Sequence, residues 1–456
     1  MGRLYWTAVA MCAAAAVGGA STATYLALSG NGGKSDKAYV IGTDDPPPVL
    51  PATSQNVPVP TQAGLTAALG QALHSTALGS RLDYSIVDPL TNQTLLAGGA
   101  DIASTPASTN KILTAAAALS ALGDDTTFTT SVVAGPGPGD VVLVGGGDVT
   151  LAAGGKVGYT GAATLEDLAA RVKKAHPAPV TRVLVDDSRY TGAQLGPGWE
   201  TGMVETGNFS PLAPVMLNAG RVNLTNSHAA RSNNSDLDAG RALAGLLGAP
   251  SGQVTRGTAG SGAKQLGAVH SPPLTVTVQS MLQQSDNVIA EGLAREVAIA
   301  QHRTPDYAGG AAAVQAALAK LGLDTTGLHT VDGSGLSHGD AVPPKLLTQT
   351  LALAAGKSHP ELRPVFAGLP VAGFSGTLDP AHKRFNVPAT KGAAGIVRAK
   401  TGTLDGVNTL AGILTTSDGR LLAFAFMADK VRTGAGDAAM LALDKLATTL
   451  ASCGCR

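Results

Sequence analysis

The pattern of hydrophobic and polar positions predicts a mixture of strands and helices beyond the first 64 residues. Residues 82–87 and 94–96 flank a turn-rich segment and predict a β-hairpin. Residues 108–122 form an uninterrupted run rich in Ala and Leu that Gly123 closes, which predicts a helix. Further helices are predicted over 160–175, 237–248 and 274–297 (interrupted near Ser285), strands over 126–143, 181–185, 409–416 and 421–427, and a loop over 252–267. Strands near both ends with helices between them indicate an α+β or α/β domain whose sheet uses both ends of the chain.

The longest apolar stretch lies at the N-terminus, where no charged residue occurs between Arg3 and Ser29. Residues 4–28 exceed the roughly 20 residues that a helix needs to cross a bilayer. Two interpretations of residues 1–30 stay open: a secretory signal peptide cleaved near residues 20–23, or an uncleaved membrane anchor. The flanking cations are too few to fix an orientation. Both interpretations predict that the rest of the chain is extracytoplasmic, in the cell envelope; a buried helix of a cytosolic domain is the remaining alternative.

A proline-rich linker is predicted over residues 31–64. Proline lacks a backbone N–H and favours extended polyproline geometry, so such a segment acts as a semi-rigid spacer. The prolines of this segment are Pro46, Pro47, Pro48, Pro51, Pro58 and Pro60. The linker would hold a folded domain, starting near Leu65, away from a membrane.

The amino-acid composition limits the kind of core and the kind of partner, but it does not indicate a function. Only 4% of the 456 residues are aromatic and 44% are hydrophobic, so the core is predicted to consist mainly of Ala, Val, Leu and Ile. Charged residues make up 14%, against roughly 25% in an ordinary soluble domain. The 32 Lys and Arg balance the 32 Asp and Glu. Because no net field would attract a polyanion, composition argues against nucleic acid as a partner.

Three short motifs with possible chemistry occur in the order Ser108-Thr109-Asn110-Lys111, Ser285-Asp286-Asn287 and Lys400-Thr401-Gly402. Singly, each has a structural explanation: a helix cap followed by a solvated lysine, a helix cap or turn, and a charged residue entering an edge strand. Ser108 is predicted at a helix N-terminus, with Lys111 one turn later on the same face. Gly402 is expected to let a ligand approach the backbone. In this order the three motifs are typical of penicillin-binding proteins and class A β-lactamases.

The resemblance extends to longer segments, which are residues 106–114, 271–274, 284–291, 332–337, 376–378 and 398–404. They resemble the D-alanyl-D-alanine carboxypeptidase/endopeptidase family of low-molecular-mass (class C) penicillin-binding proteins, over about residues 65–450. This resemblance implies an α+β, penicillin-binding/β-lactamase-like transpeptidase domain in which helices flank an antiparallel sheet. Its two parts would be residues 65–122 and 271–456, with an accessory domain inserted at 123–270.

The first motif needs a base, because a serine hydroxyl is a poor nucleophile at neutral pH. None of the nine histidines lies in a familiar triad motif, which leaves Lys111 as the candidate base for Ser108. Lys111 must be neutral to accept a proton. Partial burial and the positive charge of Lys400 are both expected to lower its pKa.

The resemblance implies a role for each candidate residue. Ser108 would attack the carbonyl of a terminal D-Ala-D-Ala bond to form an acyl-enzyme, and Ser285 would relay a proton to the departing D-Ala nitrogen. The N–H groups of Ser108 and Thr403 would form the oxyanion hole. The substrate-binding residues would be Asn287 for the acyl-side amide, and Lys400, Thr401, Gly402 and Thr403 for the carboxylate. Water would then deacylate the enzyme, with no metal or organic cofactor. The implied partners are peptidoglycan stem peptides and β-lactams, with the membrane reached through the N-terminal segment.

Two other functions stay open on the same residues. A β-lactamase uses the same three motifs and differs in how fast water removes the acyl group. A catalytically silent wall-binding or scaffold protein could share the fold. Residues 332–337 are predicted to form a glycine-rich turn, which is either structural or shapes the site.

Cys453 and Cys455 form a Cys-x-Cys pair near the C-terminus. Two cysteines are too few for a zinc site of four ligands. In an oxidising compartment they could bond to each other or to another chain, and a structural role is expected rather than redox catalysis.

Overall fold

The computed structural model describes residues 57–456. The predicted signal peptide or anchor at 1–30 lies outside the described residues, as does most of the predicted linker. Within residues 57–456, no helix is both long enough and apolar enough to cross a membrane. The first helix begins at Gln62, where the hydroxyl of Thr61 accepts a hydrogen bond from the N–H of Gly64. The predicted linker was therefore too long by three residues, because Thr61 is a favourable helix cap.

The helices of this part of the chain are α1 (Gln62–Leu73), α2 (Asn110–Leu122), α3 (Leu165–Ala175), α4 (Ser235–Leu247), α5 (Leu274–Gln284), α6 (Asn287–Ala300), α7 (Tyr307–Lys320), α8 (Pro344–Ala355), α9 (Pro364–Gly368) and α10 (Gly436–Ala451). The strands are β1 (Asp83–Asp88), β2 (Gln93–Gly98), β3 (Thr129–Ala134), β4 (Asp140–Val144), β5 (Asp148–Leu151), β6 (Arg182–Asp186), β7 (Val215–Leu217), β8 (Val254–Arg256), β9 (Gln265–His270), β10 (Arg398–Leu404), β11 (Val407–Thr415) and β12 (Leu421–Ala428).

The main sheet is antiparallel and has the strand order β10-β11-β12-β1-β2. Its strands come from both ends of the described chain, and helices flank it, so the predicted α+β class and the use of both chain ends are confirmed. The strand that carries the third motif, β10, lies at the edge of the sheet. In the described part of the chain, no other strand of the sheet therefore pairs with the outer edge of β10, where the N–H of Ala399 donates to the carbonyl of Pro370.

A second sheet has the order β8-β6-β4-β3-β9 and mixes parallel with antiparallel pairs. Helices α3 and α4 cover it, and their apolar residues form a core of their own with the strands. All five strands fall between residues 129 and 270, in the segment between the first two motifs. Strands β5 and β7 form a small parallel pair in the same segment.

Strand β12 is the central strand of the main sheet and is buried on both faces. Phe424 and Phe426 belong to the core formed with α1 and α10, whereas Ala423 and Ala425 belong to the opposite, helical core. Alternate residues of a strand point to opposite faces, so this strand reads as a continuous apolar run rather than an alternating one.

Helix α2 is the centre of the helical layer and packs against α5, α6, α7 and α8. Residues 115–118 are four consecutive alanines, and none of them has any exposed surface. Small side chains let neighbouring helices approach closely, which excludes water from the interior. The low content of aromatic residues is thus offset in this layer by close packing.

Two sequence predictions of structure were wrong in part. The predicted loop at 252–267 contains β8 and the start of β9, because Val254 and Leu266 pack into the core of the second sheet. The helix predicted over 160–175 begins only at Leu165, where Thr164 caps it by accepting from the N–H of Asp167.

Cys453 and Cys455 are joined by a disulfide in the C-terminal tail. The carbonyl of Cys455 accepts a hydrogen bond of 2.7 Å from the N–H of Thr61, and Cys453 is buried in the core shared with α1 and α10. The pair thus belongs to the packing between the C-terminal tail and the first helix.

We expect Phe424→Ala to lower the free energy of unfolding by about 3–5 kcal/mol, because it opens a cavity in the middle of the sheet. Phe374→Ala is the matched control: Phe374 is 70% exposed, and changes at such positions stay within about 0.5 kcal/mol. Urea denaturation of both variants measures the difference. Equal losses for the two variants would contradict the assignment of β12 as the buried centre.

Candidate active site

Ser108 lies in a tight turn directly before α2. A 3-10 turn over Ala107–Thr109 precedes the helix, and Ala107 has a φ of 45°, which a residue other than glycine rarely adopts. The side chain of Ser108 caps neither the turn nor the helix. Instead, its Oγ accepts a hydrogen bond of 2.8 Å from Nζ of Lys111. The helix-cap explanation of this serine is therefore wrong.

Lys111 is completely buried, which excludes the solvated lysine that was the alternative. Its Nζ donates to Oδ1 of Asn287 at 2.6 Å and to the carbonyl of Ser334 at 2.7 Å, besides Ser108. All three acceptors are neutral oxygens. The first motif and the last residue of the second motif thus meet at one amine.

Burial lowers the pKa of Lys111 to about 8, because an ammonium loses its hydration in the interior. The prediction of partial burial was wrong in degree, since Lys111 has no exposed surface. The strongest charges acting on it oppose the shift: Asp332 and Glu291 raise the pKa. Complete desolvation, rather than the charge of Lys400, is therefore the main cause that lowers the pKa of this amine towards neutral pH.

Ser285 forms the corner between α5 and α6 and has left-handed backbone angles, φ 53° and ψ 37°. This confirms the predicted interruption of the helical run. Its Oγ accepts a hydrogen bond of 2.8 Å from Nζ of Lys400, which joins the second motif to the third. Asn287 begins α6, and its Nδ2 donates to the carbonyl of Asn208 at 2.8 Å.

Lys400 lies on the edge strand β10 but is completely buried. Its Nζ donates to the carbonyl of Thr401 as well as to Ser285. Burial lowers its pKa well below the ordinary value, and the nearby charges of Lys111 and Arg384 act in the same direction. Lys400 is thus a desolvated amine and not a solvated surface cation.

Gly402 is required by a close approach within the protein. A Cβ at this position would lie 2.7 Å from the carbonyl oxygen of Pro106 and 3.0 Å from Cβ of Ala107. The Oγ1 of Thr409, whose residue pairs with Gly402 across the sheet, would be nearer still. This glycine therefore lets β10 lie against the turn that carries Ser108, and the approach of a ligand to it stays a prediction.

Thr401 and Thr403 lie on the same strand as Lys400. The Oγ1 of Thr401 is 2.7 Å from Oγ1 of Thr377, in the short segment 376–378. Thr403 is exposed. The structure thus brings Ser108, Lys111, Asn287, Ser285 and Lys400 into two hydrogen-bonded groups, with the threonines of β10 beside them.

Asp332 organises the glycine-rich segment 332–337. Its Oδ1 accepts from the N–H groups of Ser334 at 3.0 Å and Gly335 at 2.6 Å. Its Oδ2 accepts from the N–H of Ser337 at 2.9 Å and from Nε1 of Trp199 at 2.8 Å. The segment is therefore a turn, and it also shapes the site, because the carbonyl of Ser334 accepts from Lys111.

Glu291 and Asp340 complete a buried acidic cluster with Asp332. Glu291 accepts from the N–H groups of Gly333 and Ser334, and Asp340 from that of Val331. Burial and the charge of Asp332 raise the pKa of both Glu291 and Asp340. A raised pKa favours the neutral, protonated form of each acid, which reduces the negative charge around Lys111. Sequence reasoning named none of the three as site residues, although segments 284–291 and 332–337 contain two of them.

The fold and the site define a serine enzyme of the penicillin-binding class, and comparison with known families agrees. The model of the D-Ala-D-Ala carboxypeptidase 3 (S13) family matches residues 65–234 and 225–450. The chain belongs to this family. The predicted family and enzyme class are thereby confirmed.

Relatives of known name cover almost the whole chain. Carboxypeptidase DacB of Mycolicibacterium smegmatis is 41% identical over 433 residues, which are 93% of this chain and 92% of that protein. A carboxypeptidase of Mycobacterium tuberculosis is 41% identical over 423 residues, which are 90% of each chain. Among solved structures, penicillin-binding protein 4 of Haemophilus influenzae has a TM-score of 0.68 at 23% identity and covers 84% of this chain and 97% of its own. That likeness shows the fold, as predicted.

We expect Gly402→Ala to slow acylation of the protein by a labelled β-lactam about 100-fold, since displacements near 1 Å between reacting groups cost that much. The added Cβ must push β10 away from the turn at Pro106. Gly245→Ala is the control, because its Cβ would meet no atom within 4 Å on α4. A Gly402→Ala variant that acylates at the wild-type rate would contradict the close approach.

Proposed function

We propose that this chain is a serine-type D-Ala-D-Ala carboxypeptidase, able also to act as a DD-endopeptidase, that forms an acyl-enzyme on Ser108. One observation carries the proposal: a completely buried Lys111 amine lies 2.8 Å from the hydroxyl of Ser108 and contacts only neutral oxygens. An amine of lowered pKa beside a serine hydroxyl supplies the base that a nucleophilic serine needs. Family membership supports the reaction class.

Acylation begins when neutral Lys111 takes the proton of Ser108. The Ser108 oxygen attacks the carbonyl carbon between the two D-Ala residues, and the bond to the leaving nitrogen then breaks. Ser285 donates its hydroxyl proton to that nitrogen and regains one from Lys400, to which it is hydrogen-bonded. The N–H groups of Ser108 and Thr403 hold the oxyanion, each typically contributing a factor of 10²–10³.

Deacylation returns both protons. A water molecule attacks the ester carbon and gives its proton through Ser285 to Lys400. Lys111 returns its proton to the oxygen of Ser108 as the carboxylic product leaves. Protons and bonds therefore balance over the cycle without a cofactor.

The substrate carboxylate is placed against β10. The hydroxyls of Thr401 and Thr403 face it, and its negative charge raises the pKa of the buried Lys400, which favours the ammonium when substrate is bound. Asn287 uses one hydrogen of its amide on Asn208 and has a second donor for the acyl-side amide of the substrate. A β-lactam, whose carboxylate and strained amide resemble those groups, is proposed to acylate Ser108 in the same way.

The enzyme is proposed to act outside the cytoplasm on peptidoglycan stem peptides. Residues 1–30 are proposed to export the chain or to attach it to the membrane. Residues 65–122 and 271–456 are proposed to form the peptidase domain, with residues 123–270 as its inserted accessory domain. The second sheet, which lies within 123–270, supports this division.

Labelled β-lactam is expected to acylate the wild type stoichiometrically and to leave Ser108→Ala unlabelled. Lys111→Met should be labelled at least about 100-fold more slowly, because it lacks the proton acceptor. For the wild type, the rate should rise with pH up to about 8, where Lys111 loses its proton. Lys320→Met, an exposed lysine at the end of α7, is the control. Labelling of Ser108→Ala would overturn the assignment of the nucleophile.

Digestion of purified peptidoglycan, read by mass spectrometry, tests the reaction itself. Loss of terminal D-Ala, or of cross-links, is expected for the wild type and not for Ser108→Ala. Rapid hydrolysis of the β-lactam adduct with intact peptidoglycan would instead identify a β-lactamase. Neither acylation nor digestion by wild type would indicate a silent scaffold and overturn the proposal.

A further inference from the structure

Asp286 is the middle residue of the second motif, and the proposed reaction does not use it. It has no exposed surface. Its Oδ1 accepts from the N–H of Val288 at 2.9 Å and from that of Ile289 at 3.2 Å, which caps α6. A cap explains this oxygen, in agreement with the structural alternative for this motif, a helix cap or turn. The other oxygen has a different set of partners.

Oδ2 of Asp286 accepts from three side chains at once. The hydroxyl of Tyr159 and Nη2 of Arg221 each lie 2.8 Å from it, and Nη2 of Arg231 lies 3.1 Å from it. Tyr159 is buried, and Arg231 is almost completely buried. All three residues belong to the segment 123–270, between the first two motifs. A single helix cap needs no such charged partners.

Further contacts hold these donors in place. Arg231 donates from Nε to the carbonyl of Gly207 and from Nη1 to the carbonyl of Ala219, both at 2.8 Å. Nε of Arg221 donates to the hydroxyl of Tyr159 at 3.3 Å. The donors therefore form one connected network, and the position of Asp286 is fixed from outside its own helix.

The residues on either side of Asp286 are the ones that touch the two lysines. Ser285, with its left-handed backbone, accepts from Lys400, and Asn287 accepts from Lys111. A shift of Asp286 would move both contacts together. The position of this corner thus affects both proposed proton carriers.

We propose that Tyr159, Arg221 and Arg231 clamp Asp286, so that the segment 123–270 holds the Ser285–Asn287 corner in its reactive geometry. These four are positioning residues, and the inference rests on the proposed acylation of Ser108. The segment between the first two motifs would then be a structural part of the active site, in addition to any contact it makes with the cell wall.

The clamp also has an electrostatic consequence. The negative charge of Asp286 raises the pKa of Lys111, and the two guanidiniums beside Asp286 compensate that charge. The other charged or titratable groups facing Lys111 are Glu291 on α6, Asp332 and Asp340 after α7, and Lys400 on β10. Removing one guanidinium should therefore raise the pKa of Lys111, which a loss of packing alone would not do.

Arg221→Gln is expected to lower the rate of acylation by labelled β-lactam about tenfold at pH 7, with the rise in rate moved to higher pH by about one unit. Arg221→Lys keeps the positive charge, so its pH profile should match that of the wild type. Its rate of acylation should still be lower, because lysine does not reproduce the hydrogen bonds of the guanidinium. Tyr159→Phe removes one hydrogen bond and no guanidinium, so its rate should fall without a shift of the profile. Circular dichroism and the thermal midpoint establish that each variant is folded.

Arg189→Gln is the matched control. Arg189 also joins the segment 123–270 to α6, through Glu296, but at the end of the helix away from Ser285. It should leave both rate and pH profile unchanged. Clamp variants that match the wild type in rate and profile, or an Arg189→Gln that shifts the profile equally, would overturn the clamp.

The clamp and the proposed function can fail separately. A wild type that no β-lactam acylates would overturn the proposed function. The clamp is then tested by NMR titration of Lys111, whose midpoint should be higher in Arg221→Gln than in the wild type. An unchanged midpoint in Arg221→Gln would overturn the clamp. If Arg221→Gln does not fold, Arg231→Gln, which removes the other guanidinium beside Asp286, is titrated instead, and an unchanged midpoint there would overturn the clamp.

Discussion

The active site depends on the burial of one amine among neutral oxygens. Lys111 has no exposed surface, and its Nζ contacts the oxygens of Ser108, Asn287 and Ser334 but no carboxylate. A direct carboxylate partner would raise the pKa of the lysine, whereas desolvation lowers it and makes the neutral amine accessible near neutral pH. The nearby carboxylate of Glu291 instead accepts hydrogen bonds from backbone N–H groups of the turn at 332–337. Glu291 thus fixes the turn whose Ser334 carbonyl contacts Lys111, but the carboxylate itself makes no hydrogen bond to the lysine.

The alanine-rich composition serves this burial. Lys111 lies on helix α2, whose alanines at 115–118 are completely buried. The neighbouring helices pack closely around α2. The edge strand β10 then comes close to the turn at Ser108, because Gly402 leaves room for Pro106. A net charge of zero is compatible with an anionic substrate, because the proposed attraction is local. The substrate carboxylate would favour the ammonium form of Lys400 when it binds there.

Local signals predicted much of this arrangement, and long-range contacts explain what they missed. The hairpin, helix α2 and the interruption at Ser285 follow from patterns within a few residues. Helix α7, rich in Ala and Gly and buried on several sides, was not anticipated because it lacks an amphipathic stripe. The contact of Gly402 with Pro106 was not predicted, because it joins segments that are far apart in the sequence. Arg221 and Arg231 gave no signal, since only the fold brings them to Asp286.

A direct measurement of the protonation of Lys111 tests the central claim. The protein is labelled with lysine carrying ¹³C at Cε, and the Lys111 signal is identified by its loss in Lys111→Arg. Titration by NMR should give a midpoint near 8, because burial lowers the pKa to about 8. A midpoint at or above the ordinary lysine value of about 10.4 would contradict the account, because fewer than about one in a thousand Lys111 amines would then be neutral at pH 7.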